Sequence, residues 1–246
     1  MRPSNIDELI FNQILRVQNF TKIPMLNSTR EILYDDIIVQ HISNMVADVD
    51  GFRKKDWSYP HELGLYRITL FSLARSLKPN LIVETGVLHG FTSLSMLWAL
   101  KKNRTGRLIS IDLPSPFGSA PANKDGYLDT LPLDCESGWL VGKKFDEYWD
   151  LRIGSSQSEL KKLPDKKLID IFVHDSEHTY QNMLAELNSV WGKLKPGAEV
   201  IVDNADANTA LSDFSIDADR TVLYLPSGPS ERESGGFKTR VGILVK

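Results

Sequence analysis

Acidic and amide side chains follow two apolar runs in the second half of the chain. The segment FVHDSEHTY carries Asp175 at the end of one run, and EVIVDN ends in Asp203 and Asn204. If the two runs are neighbouring parallel strands, their ends lie only about 4.8 Å apart, which brings these side chains together. Two carboxylates and an amide carbonyl form an all-oxygen ligand set that suits Mg²⁺, Ca²⁺ or Mn²⁺. The alternative is that strand-end acids merely cap helices.

A glycine-bearing loop follows an earlier apolar run, NLIVETG. Gly86 and Gly90 allow the backbone to approach a ligand, and the free N–H groups at the next helix start suit an anionic group. Asp112 ends the run RLISID, 28 residues after Glu84, where doubly wound folds place a carboxylate against ribose hydroxyls. The loop lacks the G-x-G-x-x-G and G-x-x-x-x-G-K-[ST] patterns, which favours a nucleoside ligand without a diphosphate.

A third candidate loop, IGSSQSEL, contains Ser156 and Gln157. Both side chains are small polar groups able to bind a purine edge. On the sequence alone, a helix N-cap is the better interpretation of this segment.

The elements that must position these residues alternate between short apolar runs and amphipathic helical segments. Five runs begin at Leu81, Arg107, Asp150, Leu168 and Ala198, and helical patterns separate most of them. This order predicts an α/β fold with a doubly wound, Rossmann-like, mostly parallel sheet, in which ligands bind outside the carboxyl ends of the strands. TVLYLP and FKTRVGILVK add an antiparallel closing pair, which gives seven strands with an antiparallel C-terminal strand.

The chain length favours one domain, 1–246, with a helical extension or lid over 1–60 and the catalytic core over 61–246. A net charge of −3 without basic clusters excludes an obvious nucleic-acid or membrane surface and favours small-molecule partners. Cys135 is the only cysteine, so no internal disulfide forms. No apolar run reaches the roughly 20 residues of a membrane span, and we expect a cytoplasmic protein.

Taken in order, these motifs resemble those of class I S-adenosylmethionine-dependent methyltransferases, in particular the metal-dependent O-methyltransferases. The resemblance covers roughly Leu81 to Asn204 and is carried by VETGVLHGFTS, ISID, IGSSQ, VHDSEHTY and VIVDN. It implies S-adenosyl-L-methionine as cofactor, with Mg²⁺ or another divalent cation. The residues implied in cofactor binding are Glu84, Gly86, Gly90, Thr92, Asp112, Ser156, Gln157 and Asp175.

The resemblance also assigns the metal and the base. Asp175, Asp203 and Asn204 fall on the metal ligands, and His178 takes the position of the base, three residues after the first metal aspartate, so that Asp175 and His178 are the catalytic candidates. An imidazole with an ordinary pKa near 6.5 can accept the proton that methyl transfer releases. The alternative for His178 is a solvent-facing residue at a helix start. His174 should face the opposite side of its strand and be structural.

Two departures from the catechol-type branch bear on the acceptor. The base position holds His178 instead of lysine, and the insertion at 114–138 is longer, which favours sugars or other natural products with a vicinal diol. Trp57 and Tyr59 are candidates for an acceptor wall or for a core position. Three other functions stay open: a metal-independent methyltransferase, a non-catalytic cofactor-binding protein and, with least support, a nicotinamide oxidoreductase. Homo-oligomer formation is also open.

Overall fold

A seven-stranded sheet forms the centre of the protein in the computed structural model, which describes residues 5–47, 49, 63–114, 131, 132, 134–226 and 240–246. The strand order is β3-β2-β1-β4-β5-β7-β6, and β1 to β5 run parallel. Strand β7 pairs antiparallel with both β5 and β6. The strands are β1 Leu81–Thr85, β2 Arg107–Asp112, β3 Trp149–Ile153, β4 Ile169–His174, β5 Leu194–Val202, β6 Val222–Pro226 and β7 Arg240–Val245.

Eight helices pack against the sheet within the described residues. They are α1 Asn5–Thr21, α2 Leu26–Leu33, α3 Ile37–Val46, α4 Gly64–Leu77, α5 Phe91–Asn103, α6 Ser156–Lys162, α7 Tyr180–Trp191 and α8 Ala210–Asp217. A 3₁₀ turn spans Lys143–Phe145. None of these helices is long and apolar enough to cross a bilayer.

Alternating strand residues divide the apolar interior into two clusters, one on each face of the sheet. In β4, Ile171 and Val173 belong to the cluster formed with helices α1 to α5, while Phe172 packs into the cluster with α6 to α8. Both faces of a parallel sheet are therefore buried, as crossover helices require. The predicted α/β fold, with its mostly parallel sheet and antiparallel C-terminal strand, is confirmed.

The three N-terminal helices share the main apolar cluster with α4 and α5. Ile10, Ile14, Ile38 and Ile42 are at most 2% exposed within it. The helical periodicity of this region therefore comes from residues that complete one side of the core. The division at residue 60 stays a prediction, because residues 50–62 lie outside the described part of the chain.

Sequence patterns and structure differ in two places. The fifth apolar run begins at Ala198 in the sequence, after KPGA, which is typical of a turn, whereas strand β5 begins at Leu194 and includes these residues. The β4–β5 register shifts here, between Ile169 and Ile171. Helix α8, between β5 and the closing pair, has a weak amphipathic pattern and was not predicted. Trp57, Tyr59, most of the insertion at 114–138 and the segment SGPSERESGG lie outside the described residues.

Candidate active site

The strand order reverses between β1 and β4, which makes the carboxyl ends of these two strands the switch point of the sheet. Helices follow β1 and β4 on opposite faces of the sheet, which separates the loops at this point. A doubly wound sheet binds its ligands at such a switch point. The loop after β1 and the residues after β4 and β5 therefore occupy the position where the fold provides a ligand site.

The loop after β1 is held in a conformation that only glycine allows. Gly86 has φ +83°, and a Cβ at this position would lie 1.9 Å from the carbonyl oxygen of Asp175. Gly90 has φ +91° and forms the N-cap of α5. The loop is thus packed directly against the end of β4, and its backbone also accepts a hydrogen bond from Gly138 N at Leu88 O, at 2.7 Å.

Asp112, at the end of β2, already accepts several hydrogen bonds from the chain. Its Oδ2 accepts from Leu88 N at 3.0 Å and from the Ser137 hydroxyl at 2.6 Å, and its Oδ1 accepts from Leu113 N at 3.0 Å. Burial raises the pKa of Asp112, although these hydrogen bonds oppose the shift. The Ser137 hydroxyl therefore already occupies one of the acceptor positions of this carboxylate.

Asp175 and Asp203 form a pair of neighbouring carboxyl groups at the ends of β4 and β5. Tyr66 Oη and Thr92 Oγ1 donate to Asp175 Oδ2 at 3.4 and 3.1 Å. Burial raises the pKa of both aspartates, and the charge of Asp203 raises that of Asp175 further. A positive charge on Arg67 opposes the shift in both groups.

The acid pair has the properties of a cation site. Asp175, Asp203 and His178 each direct one ligand atom to a common region, and these atoms all lie within 4.8 Å of one another. Asp203 Oδ1 is buried and has no hydrogen-bond partner among the described residues. A divalent cation would satisfy this oxygen and relieve the repulsion between the carboxylates, so the residues present fit the predicted metal.

Asn204 and His178 lie beside the pair. Asn204 is 7% exposed, has φ +46° and places its side-chain nitrogen 3.4 Å from His178 Nδ1. Asn208 donates to the carbonyl oxygen of His178 at 2.8 Å and so fixes this backbone. His178 therefore stands next to the acids instead of facing solvent at the helix start, and it offers a nitrogen ligand as an alternative to its predicted role as base.

A buried hydrogen-bond network behind the site holds the end of β4. His174 is fully buried, and its Nδ1 lies 2.7 Å from Glu186 Oε2 on α7. Thr85 donates to the same oxygen at 2.6 Å, and Ser176 donates to Oε1 at 2.7 Å. Burial alone would raise the pKa of Glu186, but the charge and hydrogen bond of His174 bring it to about 2. The structural role expected for His174 agrees with this position.

The remaining predicted cofactor residues differ in accessibility. Glu84 is fully buried, accepts from Ser93 and Ser110 at 2.6 Å each, and has its pKa raised by burial to about 7. Ser156 is the first residue of α6 and bonds to Glu186, whereas Gln157 is exposed. The cap of α6 is Ser155, whose hydroxyl accepts from Ser158 N at 3.3 Å, so the segment IGSSQSEL contains the expected helix N-cap.

Two residues of the site, Tyr66 and Arg67, did not emerge from the sequence. Both lie in α4, whose segment GLYRITLFSLA is buried over 65–74 except at Arg67. The single cation within this apolar segment, Arg67, was the available signal. Sequence periodicity places it on the helix, but only tertiary packing brings this part of α4 to the carboxyl edge of the sheet.

The fold and this edge together define a class I methyltransferase. The model of a family described as "Methyltransferase domain" matches residues 83–205, from β1 to just beyond β5. The chain belongs to this family, and it is an S-adenosylmethionine-dependent methyltransferase. The predicted resemblance is confirmed at this level. No curated protein matches the chain significantly.

Solved structures with the same fold have low sequence identity to this chain. An O-methyltransferase from Streptomyces achromogenes involved in tomaymycin synthesis, in complex with S-adenosylmethionine, has a TM-score of 0.56 and 16% identity, covering 90% of this chain and 95% of that one. A Bacillus cereus O-methyltransferase in complex with S-adenosylhomocysteine has a TM-score of 0.53 and 15% identity, covering 90% and 96%. An S-adenosylhomocysteine-bound methyltransferase from Podospora anserina has a TM-score of 0.51 and 14% identity, covering 99% and 97%. These likenesses show the fold.

Proposed function

We propose that the protein methylates a hydroxyl of a vicinal diol on a small molecule, with a divalent cation held by Asp175, Asp203 and Asn204. One observation carries the proposal. The two carboxyls and His178 converge within 4.8 Å beside the glycine loop, and a buried oxygen of Asp203 lacks a partner among the described residues. The neighbouring O-methyltransferase structures support an oxygen acceptor.

The cofactor site of the proposal consists of residues around the glycine loop. Gly86 and Gly90 leave the backbone open to the methionine portion, Asp112 accepts from ribose hydroxyls, and Ser156 with Gln157 lies toward the adenine. When bound, S-adenosylmethionine supplies the methyl group as an electrophilic sulfonium substituent. The rigid contact between Gly86 and the end of β4 fixes the distance between this loop and the acid pair, which favours an in-line approach of the acceptor oxygen.

The acid pair and His178 have separate roles in activating the acceptor. When bound, a divalent cation would orient two vicinal oxygens of the acceptor and lower the pKa of one. His178 accepts the released proton, and Asn208 and Asn204 hold it in place. The network of Glu186 and His174 keeps the end of β4, and with it Asp175, in position.

A metal-independent methyltransferase is the second candidate. Arg67 lowers the pKa of both aspartates, so positive charge near the pair is already present in the chain. In that case His178 alone activates the acceptor. A cytoplasmic location and a small-molecule partner belong to either proposal.

Metal dependence separates the two candidates. The chelated protein is assayed for methyl transfer to a panel of catechols and sugar diols while Mg²⁺, Mn²⁺ or Ca²⁺ is added back. We expect activity only with added cation, and Asp203→Asn should lower it by about 100-fold or more, since even the loss of an outer-sphere partner of a metal ligand costs roughly 10- to 100-fold.

Asp206→Asn is the matched control. Asp206 is exposed, lies three residues from Asp203, and accepts a hydrogen bond from Arg240 N at 2.8 Å that an amide oxygen preserves. Its activity should stay within about twofold of the unmodified chain. Full activity in chelator, or an active Asp203→Asn protein, would exclude the metal and leave the second candidate.

A further inference from the structure

Arg67 brings a guanidinium group with unused hydrogen-bond donors to the site. Its Nη1 makes one long hydrogen bond, 3.3 Å, to the carbonyl oxygen of Leu63 within α4. Its Nε is buried and has no hydrogen-bond partner among the described residues. The guanidinium carbon lies 5.4 Å from the ring centroid of Phe91, the first residue of α5.

The positive charge of Arg67 acts on several acidic side chains, but none of these acids forms an ion pair with it. Its charge lowers the pKa of Glu84, Asp175 and Asp203. No acidic side chain of the described residues forms an ion pair with Arg67 within 4.0 Å, in contrast to Arg75 on the same helix, whose Nε lies 2.9 Å from Glu31. A buried guanidinium N–H without an acceptor is costly, which indicates that a ligand supplies one.

The start of α5 shows where that acceptor belongs. Phe91 and Thr92 directly follow Gly90, so the methionine portion of the cofactor lies next to them in the proposed site. Thr92, which the resemblance places in the cofactor site, donates its hydroxyl hydrogen to Asp175 at 3.1 Å and is therefore already engaged. Arg67 stacks on the residue beside Thr92 and has donors to offer to an anionic group there.

We propose that Arg67 binds the carboxylate of the methionine portion of S-adenosylmethionine through the planar fork of Nε and an Nη. This assignment rests on the cofactor site proposed above. The fork matches a carboxylate in a bidentate manner, which a lysine ammonium does not. An anionic group on the acceptor is the competing source of a carboxylate, so the test is done without any acceptor.

The test compares two cofactors that differ only in this carboxylate. Calorimetry measures binding of S-adenosylmethionine and of decarboxylated S-adenosylmethionine, which keeps the amine, the sulfonium and the adenosine. The chelated protein is used, so that a change in metal affinity does not contribute. The variants are Arg67→Met and Arg67→Lys, and Arg75→Met is the control because it removes a guanidinium from the same helix away from the site.

Arg67→Met should weaken S-adenosylmethionine binding about 10- to 100-fold, the range for a charged hydrogen-bond pair. It should leave binding of the decarboxylated cofactor unchanged or tighter, because a repulsive cation is removed. Arg67→Lys should recover only part of the loss, and Arg75→Met should change neither affinity by more than about twofold. Thermal unfolding of each variant identifies any loss of affinity that comes from misfolding. If Arg67→Met does not fold, the affinities of Arg67→Lys for the two cofactors provide the comparison.

Three results would contradict the proposal. Equal weakening of the binding of both cofactors would mean that Arg67 stabilises the acid pair and does not bind the carboxylate. An unchanged affinity of the Arg67→Met protein for S-adenosylmethionine would mean that Arg67 binds the acceptor or no ligand. If the unmodified chain binds neither cofactor, the cofactor site itself is wrong, and this inference falls with it.

Discussion

At the scale of single residues, the two aspartates of the pair have different surroundings. Asp175 receives hydrogen bonds from Tyr66 and Thr92, whereas Asp203 keeps one buried oxygen without a partner among the described residues. A ligand that adds positive charge therefore gains most at Asp203. For this reason Asp203, and not Asp175, is the informative position for a metal test: replacing Asp175 would also remove the acceptor for two side chains of the site.

On the cofactor side of the site, the hydrogen bonds of Asp112 determine how a ribose hydroxyl could bind. Oδ2 of Asp112 already accepts from a backbone N–H and from the Ser137 hydroxyl. Both acceptor positions of this oxygen are thus in use, so a ribose hydroxyl that binds Oδ2 must take the place of Ser137, while Oδ1 accepts from Leu113 N. The segment around Ser137 also pairs with the glycine loop, through Gly138 N to Leu88 O at 2.7 Å. Cofactor binding at Asp112 is therefore linked to the position of this segment.

His178 carries a prediction about the chemical step. His178→Gln should lower kcat by about 10²- to 10⁴-fold, the contribution of a general base, while the affinity for S-adenosylmethionine stays unchanged. Initial rates are measured with the diol of the panel that is methylated, and calorimetry gives the cofactor affinity. His41→Gln is the control, since His41 bonds to the carbonyl oxygen of Leu140 away from the acid pair. A His178→Gln protein with normal kcat would exclude the base.

At the scale of elements, the contact between the glycine loop and the end of β4 joins the cofactor side to the acid side. A methyl group at Gly86 would overlap the carbonyl of Asp175, because its carbon would lie 1.9 Å from that oxygen, and φ +83° adds backbone strain. Gly197 has a similar φ, +77°, but nothing lies within 4 Å of its Cβ position. Alanine at Gly197 would cause backbone strain alone, whereas alanine at Gly86 would cause backbone strain and steric overlap. Comparing the two variants therefore isolates the effect of the overlap.

Gly86→Ala should destabilise the protein by at least about 2 kcal/mol more than Gly197→Ala, whose cost should be the roughly 1–2 kcal/mol of a left-handed residue. Chemical denaturation gives both free energies of unfolding. Gly86→Ala should also abolish S-adenosylmethionine binding by calorimetry, whereas Gly197→Ala should retain it. Equal destabilisation of the two variants would mean that the loop can move away from β4 and that the contact is not rigid.

Sequence patterns predicted the elements whose signals are local. Leu81–Thr85 is an apolar run bounded by a proline and a glycine, and Thr179, a residue type that favours helix starts, caps α7 through its hydroxyl. Asp175 and Asp203 could be paired in advance because β4 and β5 are consecutive parallel strands and neighbours in the sheet. The convergence of these acids thus follows from topology alone.

The parts that sequence did not predict depend on tertiary packing. Tyr66 and Arg67 reach the site because α4 crosses the sheet face at this edge, which no periodicity encodes. Ser137 reaches Asp112 from a long segment between β2 and β3. The start of β5 at Leu194 was missed because the proline and the glycine that follow it are typical of a turn. The strand is irregular there, since Gly197 has φ +77° and the β4–β5 register shifts between Ile169 and Ile171.

At the scale of the whole molecule, the sheet is buried on both faces, and this burial affects the ionisation of Glu199. Glu199, on β5 between Ile171 of β4 and Val245 of β7, is 1% exposed. Its Oε2 has no hydrogen-bond partner among the described residues, and burial raises its pKa from 4.5 to about 8. The folded protein therefore holds the proton of Glu199 more tightly than the unfolded chain does.

This difference predicts how stability depends on pH. Since the folded pKa lies above the unfolded value, the stabilisation from protonated Glu199 is fully present below about pH 4.5 and is lost as the pH rises through about 8. Glu199→Gln keeps the shape of the neutral acid and cannot ionise. Relative to the unmodified chain, it should gain up to roughly 4 kcal/mol in the free energy of unfolding between pH 5 and pH 9, measured by urea denaturation at several pH values.

Glu84, with its pKa raised to about 7, is present in both proteins, so its contribution cancels in the difference. Glu147→Gln, at an exposed position, is the control and should give a difference that does not vary with pH. A Glu199→Gln curve parallel to that of the unmodified chain would show that Glu199 ionises with water or a counter-charge at hand, and that the interior at β5 is open to solvent in the folded protein.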